Sequence, residues 1–160
     1  MKFTTTAMKT GIGAAAIAAA TVFGAATASA ATPTIQDFGT SEQLVDGALV
    51  TSYTVSNLHP SSTAIPGFMP DGQLYQADIT ARAVSGTITP VVNNFNARAA
   101  NGQTYRVVTT VPVPNGLNPA PITQGNERSG TLYFDVTGVP PNGVVYNDGV
   151  QDVLIWTSNV

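Results

Sequence analysis

Few residues in this chain can do chemistry. Its 160 residues include no Cys and one His, His59, and both lysines, Lys2 and Lys9, fall in the first ten positions. Without Cys there is no disulfide framework, thiolate metal site, iron–sulfur cluster, thiol nucleophile or lipid-attachment cysteine. A Ser-His-Asp triad would have to recruit His59, which precedes Pro60 in an expected loop with no Gly-x-Ser-x-Gly turn to carry the serine, so His59 reads as a solvated loop histidine. One His cannot hold zinc, which normally takes several His or Cys ligands. Two carboxylates could act as acid and base in a secreted hydrolase. The candidates are Asp78 and Asp135, on outward faces of expected strands, and Asp148 and Asp152, flanking a turn. Residues 147–152 are rich in oxygen ligands, but they lack the spacing of a calcium loop and fit a hairpin turn. Arg82, Arg98 and Arg106 fall on polar strand faces, where cross-strand pairing with acids is expected and a carboxylate or anion contact is the sharper alternative. The inventory predicts a chain that is not an enzyme, with no catalytic, cofactor-binding or metal-binding residues.

These side chains must be positioned by whatever follows residue 30. Residues 1–30 carry Lys2 and Lys9, then an uncharged Ala-rich stretch with Ile12, Ile17, Val22 and Phe23, then Ala28-Ser29-Ala30. A basic start, an apolar middle and small residues at the end make a secretory signal, cleaved after Ala30, on the general export route. Cleavage would leave residues 31–160 as one extracellular domain with no stable membrane insertion. In that domain four arginines face nine acids, a formal charge of −5, with no lysine. A nucleic-acid backbone or an anionic lipid surface would be repelled.

Apolar residues recur with period two, the signature of half-buried strands. In residues 73–84 the odd face is Tyr75, Ala77, Ile79, Ala81 and Ala83. Residues 103–111 place Tyr105, Val107 and Val111 on one face, and residues 49–57 show the same alternation through Tyr53 and Val55. In residues 130–137, Leu132, Phe134 and Val136 point inward, so Tyr133 points outward. Residues 153–156 are apolar on both faces, as in a covered or closing strand. Asn101-Gly102, Asn142-Gly143 and Asn147-Asp148-Gly149 read as tight turns. Residues 58–72 and 111–125 are Pro-rich loops. Seven or eight strands, with no helical period, predict an all-β antiparallel sandwich, with a small barrel as the alternative.

Several segments in order carry a resemblance: Ser62-Thr63-Ala64-Ile65-Pro66-Gly67, Phe95-Asn96-Ala97-Arg98, residues 101–107 and 130–138, and the ending Val153-Leu154-Ile155-Trp156. With the signal segment they resemble the MPT63 family of mycobacterial secreted immunogenic proteins, along essentially the whole chain. The resemblance implies an immunoglobulin-like sandwich, secretion, antigenicity and no established biochemical activity. It supplies no catalytic residues. The expected function is a secreted, non-catalytic binding module for an unknown protein or cell-envelope partner. A carboxylate-pair hydrolase and a structural envelope-associated protein are the alternatives. Candidate contact residues are Phe68 and Met69, apolar between prolines in the first long loop, and outward Tyr133.

Overall fold

Alternating apolar residues can bury one face of a strand only if a second layer covers it, and here two sheets cover each other. The structure, a computed structural model, describes residues 32–158. The signal segment and its cleavage site lie outside them. The strands are β1 (Thr34–Asp37), β2 (Ser41–Asp46), β3 (Leu49–Pro60), β4 (Gln73–Ser85), β5 (Phe95–Ala99), β6 (Thr104–Arg106), β7 (Glu127–Val136), β8 (Pro141–Asn147) and β9 (Asp152–Thr157). One sheet runs β1-β9-β8-β5-β6 and the other β2-β3-β4-β7. This is the two-sheet sandwich that the periodicity predicts. It has nine strands rather than seven or eight, because 34–37 and 41–46 add two strands at sheet edges. All strand pairs are antiparallel except β1 with β9, which is parallel. The helical content among the described residues is a single 3-10 turn, Val92–Asn94.

The inward faces are largely those expected. Tyr53, Val55, Ala77, Ile79, Ala81, Ala83, Leu132, Phe134 and Val136 are buried in one core with Phe95, Val144, Leu154 and Trp156 from the facing sheet. Phe95 lies edge-on to Tyr53 at 5.2 Å and to Tyr146 at 5.1 Å. Each such pair contributes about 0.5–1.5 kcal/mol beyond its buried area, so this cluster ties the two sheets together. The Trp156 indole N–H donates to the Thr40 carbonyl at 2.9 Å, which joins β9 to the segment that enters β2.

Two turn readings are corrected. Asn142-Gly143 lies inside β8, with Gly143 paired to Thr157. A Cβ on Gly143 would stand 2.9 Å from the Trp156 carbonyl oxygen, so glycine here permits close backbone approach rather than a turn. His59 is in β3, opposite Gln76, and not in a loop. Asn147-Asp148-Gly149 does turn the chain between β8 and β9, with Gly149 at φ 99°.

Candidate functional site

The outward residues of β4 and β7 meet the two Pro-rich loops. Leu74 and Tyr133 face away from the main core, yet both are buried, in a second cluster with Ile65 and Val108. Phe68, Val111 and Val113 pack against it. Tyr133 is therefore corrected: it points out of the sandwich as its parity requires, but it is only 3% exposed because the loops fold over it. It is not available to a partner. Phe68 is half-buried as a plug of this cluster, whereas Met69 beside it is 89% exposed.

Loop 61–72 is held at both ends and in the middle. Ser61 N–H donates to the Leu74 carbonyl at 2.7 Å. Phe68 N–H donates to the Ile65 carbonyl at 3.1 Å, and Gly67 has φ 78°, as the third position of a Pro-Gly type II turn requires. The Asp135 carboxylate accepts the backbone N–H of Asp71 at 2.8 Å and of Gly72 at 2.9 Å. Met69 is thus presented from a braced loop.

The other candidate side chains are engaged in the fabric of the fold. Asp78 accepts from the Asn57 carboxamide at 3.1 Å, and the His59 Nδ1–H donates to the Asn57 carbonyl at 2.7 Å. Asp78 pairs with Thr131 and Asp135 with Leu74, four residues further along both strands. That offset puts the two aspartates about 14 Å apart by strand geometry, beyond the 5–10 Å or so that a glycosidase pair needs. Asp148 accepts Val150 and Gln151 N–H inside its turn, and those bonds, Gln151's first, hold its carboxyl below the usual range. Asp152 pairs with Arg98 at 2.8 Å and accepts from Asn147 at 2.9 Å. Arg82 belongs to the other sheet, opposite Glu127, so the three arginines do not converge on one anion site. Arg128 reaches back to the second loop, donating to the carbonyls of Ala120 at 2.7 Å, Pro121 at 3.3 Å and Asn118 at 3.4 Å. Among the described residues, no three His, Asp or Glu side chains gather into a group that could hold a metal ion.

Two features had no counterpart in the sequence reading. Glu42, on edge strand β2, turns inward and is 3% exposed, and among the described residues neither carboxylate oxygen has a hydrogen-bond partner. Burial pushes its carboxyl up to about 7, against a smaller opposing influence of the Ile155 backbone. Burial likewise raises the Tyr53 and Tyr146 hydroxyls. The second feature is a cavity of about 570 Å³ between the segment that leads into β5 and the Pro-rich segment 107–119.

With this geometry in place, known proteins supply the comparison. The profile of a family described as a domain of unknown function, DUF1942, matches residues 33–156. The chain belongs to that family. Two DUF1942 relatives are immunogenic protein MPT63 of Mycobacterium tuberculosis and immunogenic protein MPB63 of Mycobacterium bovis. Each is 40% identical over 154 residues, covering 95% of this chain and 97% of the relative. The crystal structure of M. tuberculosis MPT63, described as a secreted protein, superposes with a TM-score of 0.76 at 40% identity and covers 79% of this chain and 98% of that one. The immunoglobulin-like sandwich implied by the resemblance is thus the fold of this DUF1942 member. The names of these relatives record immunogenicity and secretion and specify no reaction or ligand.

Proposed function

We propose that this DUF1942 protein is a secreted, immunogenic, non-catalytic interaction module that engages a protein partner of the host or the cell envelope through loop 61–72. The observation that carries this is the braced loop. Met69 is almost wholly exposed, while Phe68 beneath it, the Pro66-Gly67 turn and the Asp135 carboxylate fix the backbone that presents it. A rigid loop loses little backbone freedom on binding, which favours recognition over chance exposure. Secretion follows from the signal pattern of residues 1–30, with cleavage after Ala30, and is supported by the description of the relative. The formal charge of −5 after cleavage favours a protein surface over nucleic acid or anionic lipid.

The test is a photo-crosslinking residue placed at position 69 in the intact protein and exposed to envelope and host-cell extracts. A discrete adduct is expected, lost when excess wild-type protein is added as competitor and retained when the competitor is Met69→Asp. Equal displacement by the wild-type protein and Met69→Asp would remove the loop from the interaction.

A further inference from the structure

Two long connections between the sheets run through residues 86–94 and 107–126. Ile88 and Ile122 exchange both backbone hydrogen bonds, at 2.9 and 2.8 Å, and so clamp the crossings together. The second crossing is also pinned to the free edge of β7 at two points. Val108 N–H donates to the Tyr133 carbonyl at 2.7 Å, and Thr131 N–H donates to the Asn115 carbonyl at 2.8 Å. The cavity of about 570 Å³ opens between this pinned segment and residues 90–93 of the first crossing. Its floor includes Val107, Val108 and Leu117, all buried. Its rim includes Asn93, Thr109 and Thr110, all exposed.

We propose that this cavity binds a neutral aliphatic amphiphile, a single alkyl or acyl chain ending in an uncharged ester, amide or hydroxyl group. The floor is aliphatic, and among the described residues no aromatic ring lines the cavity to stack on a flat ligand. Among the described residues no charged side chain lines it either, so none of them receives a carboxylate or phosphate, and the acidic domain disfavours anions further. The threonine hydroxyls and the Asn93 carboxamide both donate and accept, which suits a carbonyl or hydroxyl head. A cavity of about 150 Å³ holds one benzene, so this volume takes up to about 20 non-hydrogen atoms. A decanoyl monoglyceride is of that size. The pocket also falls in the usual range for small-ligand sites, about 300–1,000 Å³. The site is separate from Met69, so it stands or falls independently of the protein-partner role.

The experiment is calorimetric titration of the purified protein with decanoyl monoglyceride, below its micelle-forming concentration, and with decanoate at pH 8. One-to-one monoglyceride binding is expected, with a Kd of roughly 200 µM from about 0.3 kcal/mol for each of its non-hydrogen atoms, and decanoate should bind at least about tenfold more weakly. Thr110→Trp, at an exposed rim position, should weaken the monoglyceride about tenfold or more without changing the melting temperature. Methyl NMR on the wild-type protein gives a readout that needs no variant: Val107, Val108 and Leu117 should shift while Val55 stays still. No binding heat, equal binding of decanoate, undiminished binding by a folded Thr110→Trp protein, or shifts elsewhere than these methyls would each overturn the proposal.

Discussion

Replacing Glu42 by glutamine should make the protein more stable at pH 8 and nearly neutral in effect at acid pH. The sign follows from the direction of the shift. The folded-state carboxyl is raised by burial from 4.5 to about 7. Below about 4.5 the side chain is protonated in folded and unfolded chains alike, and no penalty exists. Between about 4.5 and 7 the unfolded chain releases its proton while the folded one keeps it, so stability falls as pH rises. Above about 7 the loss is complete. At 1.36 kcal/mol per pKa unit it amounts to about 3 kcal/mol. Glu42 sits at the β2 edge of the sandwich rather than at its centre, so water entering beside it could reduce this to about 2 kcal/mol. Glutamine has the shape of the protonated acid and does not ionise, so its advantage over wild type should grow by about 1.5–2.5 kcal/mol between pH 5 and pH 8. Asp148, held below its usual range, acts in the opposite sense and destabilises as pH falls through its folded pKa, but it is common to both proteins and cancels. The assay is urea unfolding at half-unit pH steps, followed by the fluorescence of Trp156, which is buried and bonded to Thr40 just before β2. Parallel stability-versus-pH curves for wild type and Glu42→Gln would refute the assignment of a buried, unpaired carboxyl.

Asp135→Ala should cost about 2–3 kcal/mol by thermal melting, because two loop N–H groups lose a charged acceptor; proteolysis near Met69 should accelerate as the loop loosens. Arg128→Gln should lower stability by about 1–2 kcal/mol in urea melts, and amide exchange in residues 118–121 should rise first, since three carbonyls lose their donor. Gly130→Ala should be more damaging, at about 3 kcal/mol or more by the same measurement. A Cβ there collides with the Gly116–Leu117 backbone that docks on β7, and backbone cannot swing aside. An unchanged urea midpoint for Gly130→Ala would show that this docking does not persist in solution.

Most of the sandwich was legible because its determinants are local. Period-two alternation fixes which face of a strand holds Ala77, Ile79, Leu132 or Phe134, whatever lies on the other side. What alternation leaves open is whether the opposite face is covered, since that depends on residues far away in the chain. Tyr133 illustrates the gap, as its parity was right and its exposure was set by Ile65, Phe68, Val111 and Val113 in the two Pro-rich loops and by Val108, which the alternation places in a strand but which lies beyond the end of β6. The signal was present in those loops: four large apolar residues, Ile65, Phe68, Val111 and Val113, need something to bury them, and two outward apolar residues at one end of β4 and β7 provide it. Asn142-Gly143 failed for a related reason, because a dipeptide that favours turns was needed in β8 for close packing against β9.

Glu42 was illegible for a deeper reason. The alternation of Ser41–Asp46 makes Glu42 and Leu44 partners on one face, and nothing in the sequence says that a glutamate would be turned inward. Its placement makes sense only with the topology. Among the described residues β2 is an edge strand, with β3 on one side and no strand on the other. Charges that point inward on edge strands are a recurring device against pairing with another chain, because an added strand would seal them from water more completely. Exposed Val45 on the same strand would otherwise favour such pairing. The penalty worked out for Glu42 and the protection of this edge are then two consequences of one carboxylate. Glu42→Gln should therefore both stabilise the monomer at pH 8 and increase its self-association, measured by sedimentation at rising concentration. A stabilised variant that remained monomeric at millimolar concentration would separate the two effects and leave the edge guarded by something other than charge.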